Sequence, residues 1–215
     1  MVTSVTVFKN NSSLLNKSTK CKIVASRHDS HRPVSFLLES EIYALSDAAK
    51  TMRKGKRNEL LVLLLFQSCL RVSEALDLKL RDKVEVKGKH VLMVEHGKGD
   101  KPRIIAIPET LYMRLGNYAS ENGLVNPNEK FFTLTRVRVW QILQIASKVA
   151  GLDYKRVYPH LMRHSGSIAR LKRTGNIRSL QEHLGHSDSK MTQRYLSTMQ
   201  AIESLEVESK VEFER

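Results

Sequence analysis

Five short stretches of this 215-residue chain combine side chains that could do chemistry. Arg71 closes a strongly apolar run, in Cys69-Leu70-Arg71-Val72-Ser73-Glu74, with a carboxylate three residues on. Lys98 lies between Gly97 and Gly99. Further along come His160-Leu161-Met162-Arg163-His164, then Leu184-Gly185-His186, then Tyr195, nine residues beyond His186. Guanidinium forks match the oxygens of a phosphate and keep their charge near neutral pH. A phenol, whose ordinary pKa is about 10, becomes a nucleophile only beside a base or in a strongly cationic site.

Taken singly, each residue has an ordinary use. Arg71 can meet the last carbonyls of the preceding helix. Lys98 can be turn charge, and Lys101 is close enough to compete for any role given to it. Tyr195 can be a half-buried helix residue. His160 with His164, and His183 with His186, stand at helical spacings that raise a zinc site. No His-Glu-x-x-His run or neighbouring cysteine supports zinc, so neither a metal nor another cofactor is expected.

The elements that must hold these residues are legible in outline. Residues 1–33 are rich in Ser, Asn, Thr and Lys, with six Lys or Arg against one Asp; they read as a flexible basic arm ending near Pro33. FLLESEIYALSDAAKTM has helical period through Leu38, Ile42, Leu45 and Ala49. After Gly55, RNELLVLLLFQSCLR is apolar nearly all round, which predicts a helix in the middle of the core. SEALDLKL predicts a short helix capped by Ser73. VEVKGKHVLMVEHGKGDKPRIIAIP alternates and is broken at Lys87-Gly88 and Gly97-Lys98-Gly99-Asp100, which predicts about three antiparallel strands ending at Pro108. Helical period returns in ETLYMRLGNYASENG and TRVRVWQILQIASKVAG, and from His160 onward with breaks at Gly175 and Gly185. The expected fold is mainly α (α+β), a helical domain with one small three-stranded antiparallel sheet.

Hydrophobic residues make up 41% of the chain, enough for a core, and the formal net charge of +14 points to a polyanionic partner. The charge is uneven: Met199–Arg215 holds five Glu against Lys210 and Arg215, a net of −3, so the preceding residues carry +17. The two cysteines, Cys21 and Cys69, do not form a disulfide framework, and Cys69 reads as a buried free thiol. The longest apolar run, Leu60–Phe66, is seven residues, too short to span a bilayer. A cytoplasmic protein with no membrane partner is expected.

In order and spacing, Arg71, Lys98, the His160-x-x-Arg163 pair, His186 in a Leu-Gly-His context and Tyr195 within LGHSDSKMTQRYLS resemble the catalytic domain of tyrosine recombinases, the family of phage integrases and Xer proteins. The resemblance runs from about residue 34 to residue 200. It implies a site-specific DNA recombinase that cleaves and rejoins strands through a 3′-phosphotyrosine and a Holliday junction, in integration, excision, inversion or resolution. Attack on a phosphodiester builds negative charge on the non-bridging oxygens, which fixed cations must already face; Arg71 and Arg163 suit that task. The resemblance makes Tyr195 the nucleophile, His160 its base, Lys98 the acid for the leaving 5′ oxygen, and His186 a hydrogen-bond donor to the phosphate. Glu74 would orient its neighbours. Implied partners are double-stranded DNA and further copies of the chain, monomeric when free and a dimer to tetramer on DNA. Two other readings share much of this pattern: a DNA-binding regulator with the fold but no strand exchange, and a type IB topoisomerase-like enzyme. The whole reading requires that folding bring Arg71 and Arg163 together.

The chain departs from the family twice. Cys69 stands where a glycine is usual, which is tolerable if the backbone there does not need positive φ. Only about 33 residues precede the catalytic domain, where most members carry a separate helical core-binding domain; the expectation is a minimal member or a fragment. The expected organisation is an arm over 1–33, a catalytic domain over 34–198 and an acidic tail over 199–215. That tail would dock on a neighbouring protomer, fold back in cis, or fray as a terminal helix.

Overall fold

In a computed structural model of the chain, residues 35–95, 102–153, 157–185 and 189–209 are described, the side chains of 189–191 excepted. The arm expected over 1–33 lies outside them, as do Lys98 and His186.

The order of elements is α1 (Glu39–Thr51), α2 (Gly55–Gln67), α3 (Val72–Asp77), a 3-10 turn (Leu80–Asp82), β1 (Lys83–Val86), β2 (Lys89–Val94), β3 (Arg103–Ala106), α4 (Glu109–Glu121), α5 (Arg136–Val149), α6 (Pro159–Thr174), α7 (Ile177–Leu184) and α8 (Ser189–Glu208). The expected helical domain with a three-stranded antiparallel sheet is what forms, the strands running β1-β2-β3 as a meander. Val86 pairs with Lys89 across a two-residue turn in which Lys87 and Gly88 both have positive φ, the mirror-image turn that matches strand twist.

Leu60 to Phe66 are all buried, because α1, α4 and α6 pack around α2 from several sides. An all-round apolar helix is stable only when surrounded in this way. A second, smaller cluster gathers Cys69, Ile168, Leu171, Leu180, Leu184 and Tyr195 from the end of α2, α6, α7 and α8. Gly166 makes that junction possible: a Cβ there would overlap the Phe66 carbonyl oxygen, so α6 approaches the end of α2 only with glycine at the crossing. Gly175 and Gly185 end α6 and α7 in the left-handed conformation, as their expected role as breaks requires.

Two local expectations are corrected. The cap of α3 is Arg71, not Ser73, and the Glu74 carboxylate accepts from the Arg71 backbone N–H at 2.8 Å. This is the reciprocal half of a capping box. Cys69 has φ of 53°, so the position does require the left-handed region. A non-glycine residue is held there at a cost of about 1–2 kcal/mol. Of the tail expected over 199–215, residues 199–208 continue α8 from Tyr195: Met199 and Ile202 pack on the smaller cluster, and Glu206 meets Lys172 of α6 at 3.1 Å; residues 210–215 lie outside the described residues. No helix among the described residues is long and apolar enough to cross a membrane.

Candidate active site

Glu74 is the centre of the arrangement. It lies in the first turn of α3, is 6% exposed, and collects guanidinium groups from three elements. Arg71 Nη1 donates to Oε1 at 2.7 Å. Arg103, the first residue of β3, donates from both terminal nitrogens, at 3.0 and 2.9 Å. Arg163 of α6 comes within 3.7 Å. Burial alone would push the Glu74 carboxyl up. The bonds from Arg103 and the Arg71 amide, with the charges of both arginines, outweigh burial and hold it below its usual range. Arg71 and Arg163, 92 positions apart by their numbering, therefore face one carboxylate, as the sequence reading required.

Arg163 is 1% exposed and rigidly held. It donates to the carbonyl of Cys69 at 2.6 Å and to that of Leu184 at 2.8 Å. The left-handed turn at Cys69 belongs to this arrangement, since its carbonyl is one of the two acceptors. Burial, then the nearby Arg71 charge, lower the Arg163 pKa to about 10, which leaves it a cation at neutral pH. Arg71 is the more open of the pair, with a quarter of its side chain exposed. Of the two guanidinium groups, it is the one that solvent reaches.

Tyr195 of α8 is 1% exposed, within the smaller cluster. Its hydroxyl lies 2.6 Å from Nδ1 of His164. Burial pushes the phenol pKa up, and the Arg163 charge offsets part of that rise. His160, one turn earlier on α6, is exposed, and its ring meets that of His164 edge-on with centroids 4.3 Å apart. Burial of part of the ring, then the Arg163 and Arg71 charges, lower the His160 pKa, favouring the neutral imidazole that a base needs. The nitrogen on the phenol nonetheless belongs to His164. Lys98, between β2 and β3, and His186, directly after Gly185, fall outside the described residues. His183, weighed as a zinc ligand, is buried with Nε2 on the Ser68 carbonyl at 2.9 Å.

Sequence reasoning missed two residues of this site. Arg103 had a usable signal: strand alternation puts it on the same face as Ile105, which is buried, and an inward arginine needs a carboxylate. It also explains the glycine of Leu184-Gly185-His186. The Arg103 Nε donates to the His183 carbonyl at 3.1 Å, and a Cβ at Gly185 would press on the Arg103 side chain at 3.0 Å. His164 entered the sequence reading only through the zinc alternative; no spacing rule separates it from His160.

A helical domain with a three-stranded meander, in which arginines from separate elements converge on one buried carboxylate beside a helix-borne tyrosine, has the architecture of tyrosine recombinase catalytic domains. The chain belongs to the phage integrase family, whose family model matches residues 35–201. It is 38% identical over 146 residues to the tyrosine recombinase XerA of Pyrococcus furiosus, a match covering 65% of this chain and 49% of that protein. Among solved structures it resembles a XerA recombinase, with a TM-score of 0.65 and 27% identity over 85% of this chain and 67% of that one. The catalytic domain of bacteriophage HP1 integrase shares the fold, with a TM-score of 0.61 and 22% identity over 82% of this chain and 95% of that domain. The chain spans about half the length of the curated relatives it matches.

Proposed function

We propose that the chain is the catalytic part of a site-specific DNA recombinase that breaks and rejoins DNA through a covalent phosphotyrosine. The observation that carries this reading is the meeting of Arg71 and Arg163 on Glu74, beside the Tyr195 phenol and its imidazole partner. The Tyr195 oxygen attacks phosphorus as the bond to the 5′ oxygen breaks, and the arginines face the charge that builds on the non-bridging oxygens. Lys98 gives a proton to the leaving 5′ oxygen and His186 donates a hydrogen bond to the phosphate. The 3′-phosphotyrosyl bond keeps the energy of the broken linkage, so a partner strand's 5′ hydroxyl reverses the step. The partner is double-stranded DNA, engaged by the +14 chain. Strand exchange proceeds in an assembly of two dimers through a Holliday junction.

The test is incubation of the full chain with a pool of randomised nicked duplexes, followed by a denaturing gel and sequencing of shifted DNA. A covalent adduct from the wild type that vanishes in Tyr195→Phe is the expected result. An adduct that survives that substitution removes Tyr195 from the chemistry. The burial of the phenol favours one rival, a DNA-binding relative that does not exchange strands. It predicts retention of duplex on a native gel with no covalent band.

A further inference from the structure

We propose that His164 is the group that takes the phenolic proton of Tyr195 during strand cleavage. The inference rests on Tyr195 being the nucleophile and adds a catalytic residue outside the set that the sequence pattern picks out. The hydroxyl and Nδ1 are 2.6 Å apart, the reach a general base needs. The two residues are 1% and 8% exposed, so little water competes for the proton.

The chemistry follows from that enclosure. Releasing the proton to solvent would leave a buried phenolate, a charge that burial penalises. Passing it to the adjoining imidazole keeps the net charge of the pair unchanged, and the resulting phenolate and imidazolium attract each other. As the oxygen–phosphorus bond forms, the proton moves from the phenol to Nδ1; the P–O5′ bond breaks and the 5′ oxygen takes its own proton from the acid. In rejoining, the imidazolium returns the proton to the departing phenol. The neutral ring must carry its hydrogen on Nε2 for this. Arg163 and Cys69, Arg194 on α8 and the Ser167 hydroxyl, which hydrogen-bonds the phenol, act on Tyr195, and the His160 ring meets that of His164 edge-on. The Arg163 and Arg194 charges favour the phenolate as it forms.

The test compares wild type with His164→Asn and His164→Ala in single-turnover cleavage of a nicked duplex recovered from the pool above. Asparagine can accept the phenol's hydrogen bond close to the Nδ1 position but cannot take its proton. Both variants are expected to lose about 100-fold in rate, the usual contribution of a general base. The fall in rate on the acid side, where the wild-type Nδ1 protonates, should disappear in both. The loss should persist on a substrate with a 5′-bridging sulfur, whose thiolate leaves without a proton. Wild-type rates in His164→Asn would reduce His164 to a positioning residue, and rescue by the bridging sulfur would place it on the leaving group. Either result overturns the proposal. Should the variants not fold, nitrogen chemical shifts of the imidazole in the unaltered chain still decide: a hydrogen on Nδ1 overturns it, and one on Nε2 alone supports it. An adduct surviving in Tyr195→Phe overturns the proposed function as well, and is distinct from each of these outcomes.

Discussion

Glu74→Gln keeps the shape of a side chain on which three arginines depend and removes its charge. In the wild type the carboxylate accepts from the Arg71 amide, Arg71 Nη1 and both terminal nitrogens of Arg103, and faces Arg163 at 3.7 Å. Glutamine offers one acceptor oxygen in place of two and turns an N–H toward a guanidinium. Breaking a buried ion pair by removing one partner costs about 3–5 kcal/mol. Arg71 is a quarter exposed, so solvent screens its share, and the lower end, about 3 kcal/mol, is the expected loss. With a urea slope of roughly 2 kcal/mol per molar, that loss moves the unfolding midpoint down by about 1.5 M at pH 7. The effect has a pH signature. The folded carboxyl titrates below its ordinary value of 4.5, so its stabilisation is fully present above that pH and is lost as pH falls through the lower folded value. The difference between wild type and variant should therefore be flat near neutrality and shrink below pH 4.5. A loss under about 1 kcal/mol at pH 7, or a difference that grows on acidification, would refute the account of Glu74 as the counter-charge of the cluster.

Two further outcomes are expected. Gly166→Ala drives a methyl group into the Phe66 carbonyl where α6 crosses the end of α2, and should cost about 3 kcal/mol, read as a fall in Tm. His183 has its pKa lowered from 6.5 to about 3, by burial first and then by the Arg170 charge. The unfolded chain binds that proton more readily, so stability declines as pH drops from 6.5 toward 3, by up to about 1.4 kcal/mol per unit. His183→Gln can still donate to the Ser68 carbonyl and should flatten that part of the stability profile; an unchanged slope would show that other groups titrate there.

Much of the fold could be read before any coordinates. The α2 run has no polar face, so it had to be surrounded. Lys87-Gly88 between alternating strands, and the glycines that end α6 and α7, are decided by backbone sterics within a few residues. The order of Arg71, His160, Arg163 and Tyr195 likewise carried the family resemblance without reference to shape. Lys98 and His186 belong to the same pattern but lie outside the described residues.

Other features depended on which groups meet across the fold. The cap of α3 is Arg71 because Glu74 is drawn to a cluster that includes Arg103, 29 residues away. The positive φ at Cys69 accompanies a carbonyl that accepts from Arg163, 94 residues on, where the local sequence shows only an apolar residue near a helix end. His160 and His164 are equivalent by spacing and type; the crossing of α6 and α8 puts His164 on the phenol and His160 toward solvent. Sequence alone determined the elements and the chemical groups available, because helix period, turn sterics and residue type are properties of neighbouring residues. The tertiary structure decided the pairings, because a buried charge or hydroxyl takes whatever partner packing brings within 3 Å, and that distance is set by how the helices cross.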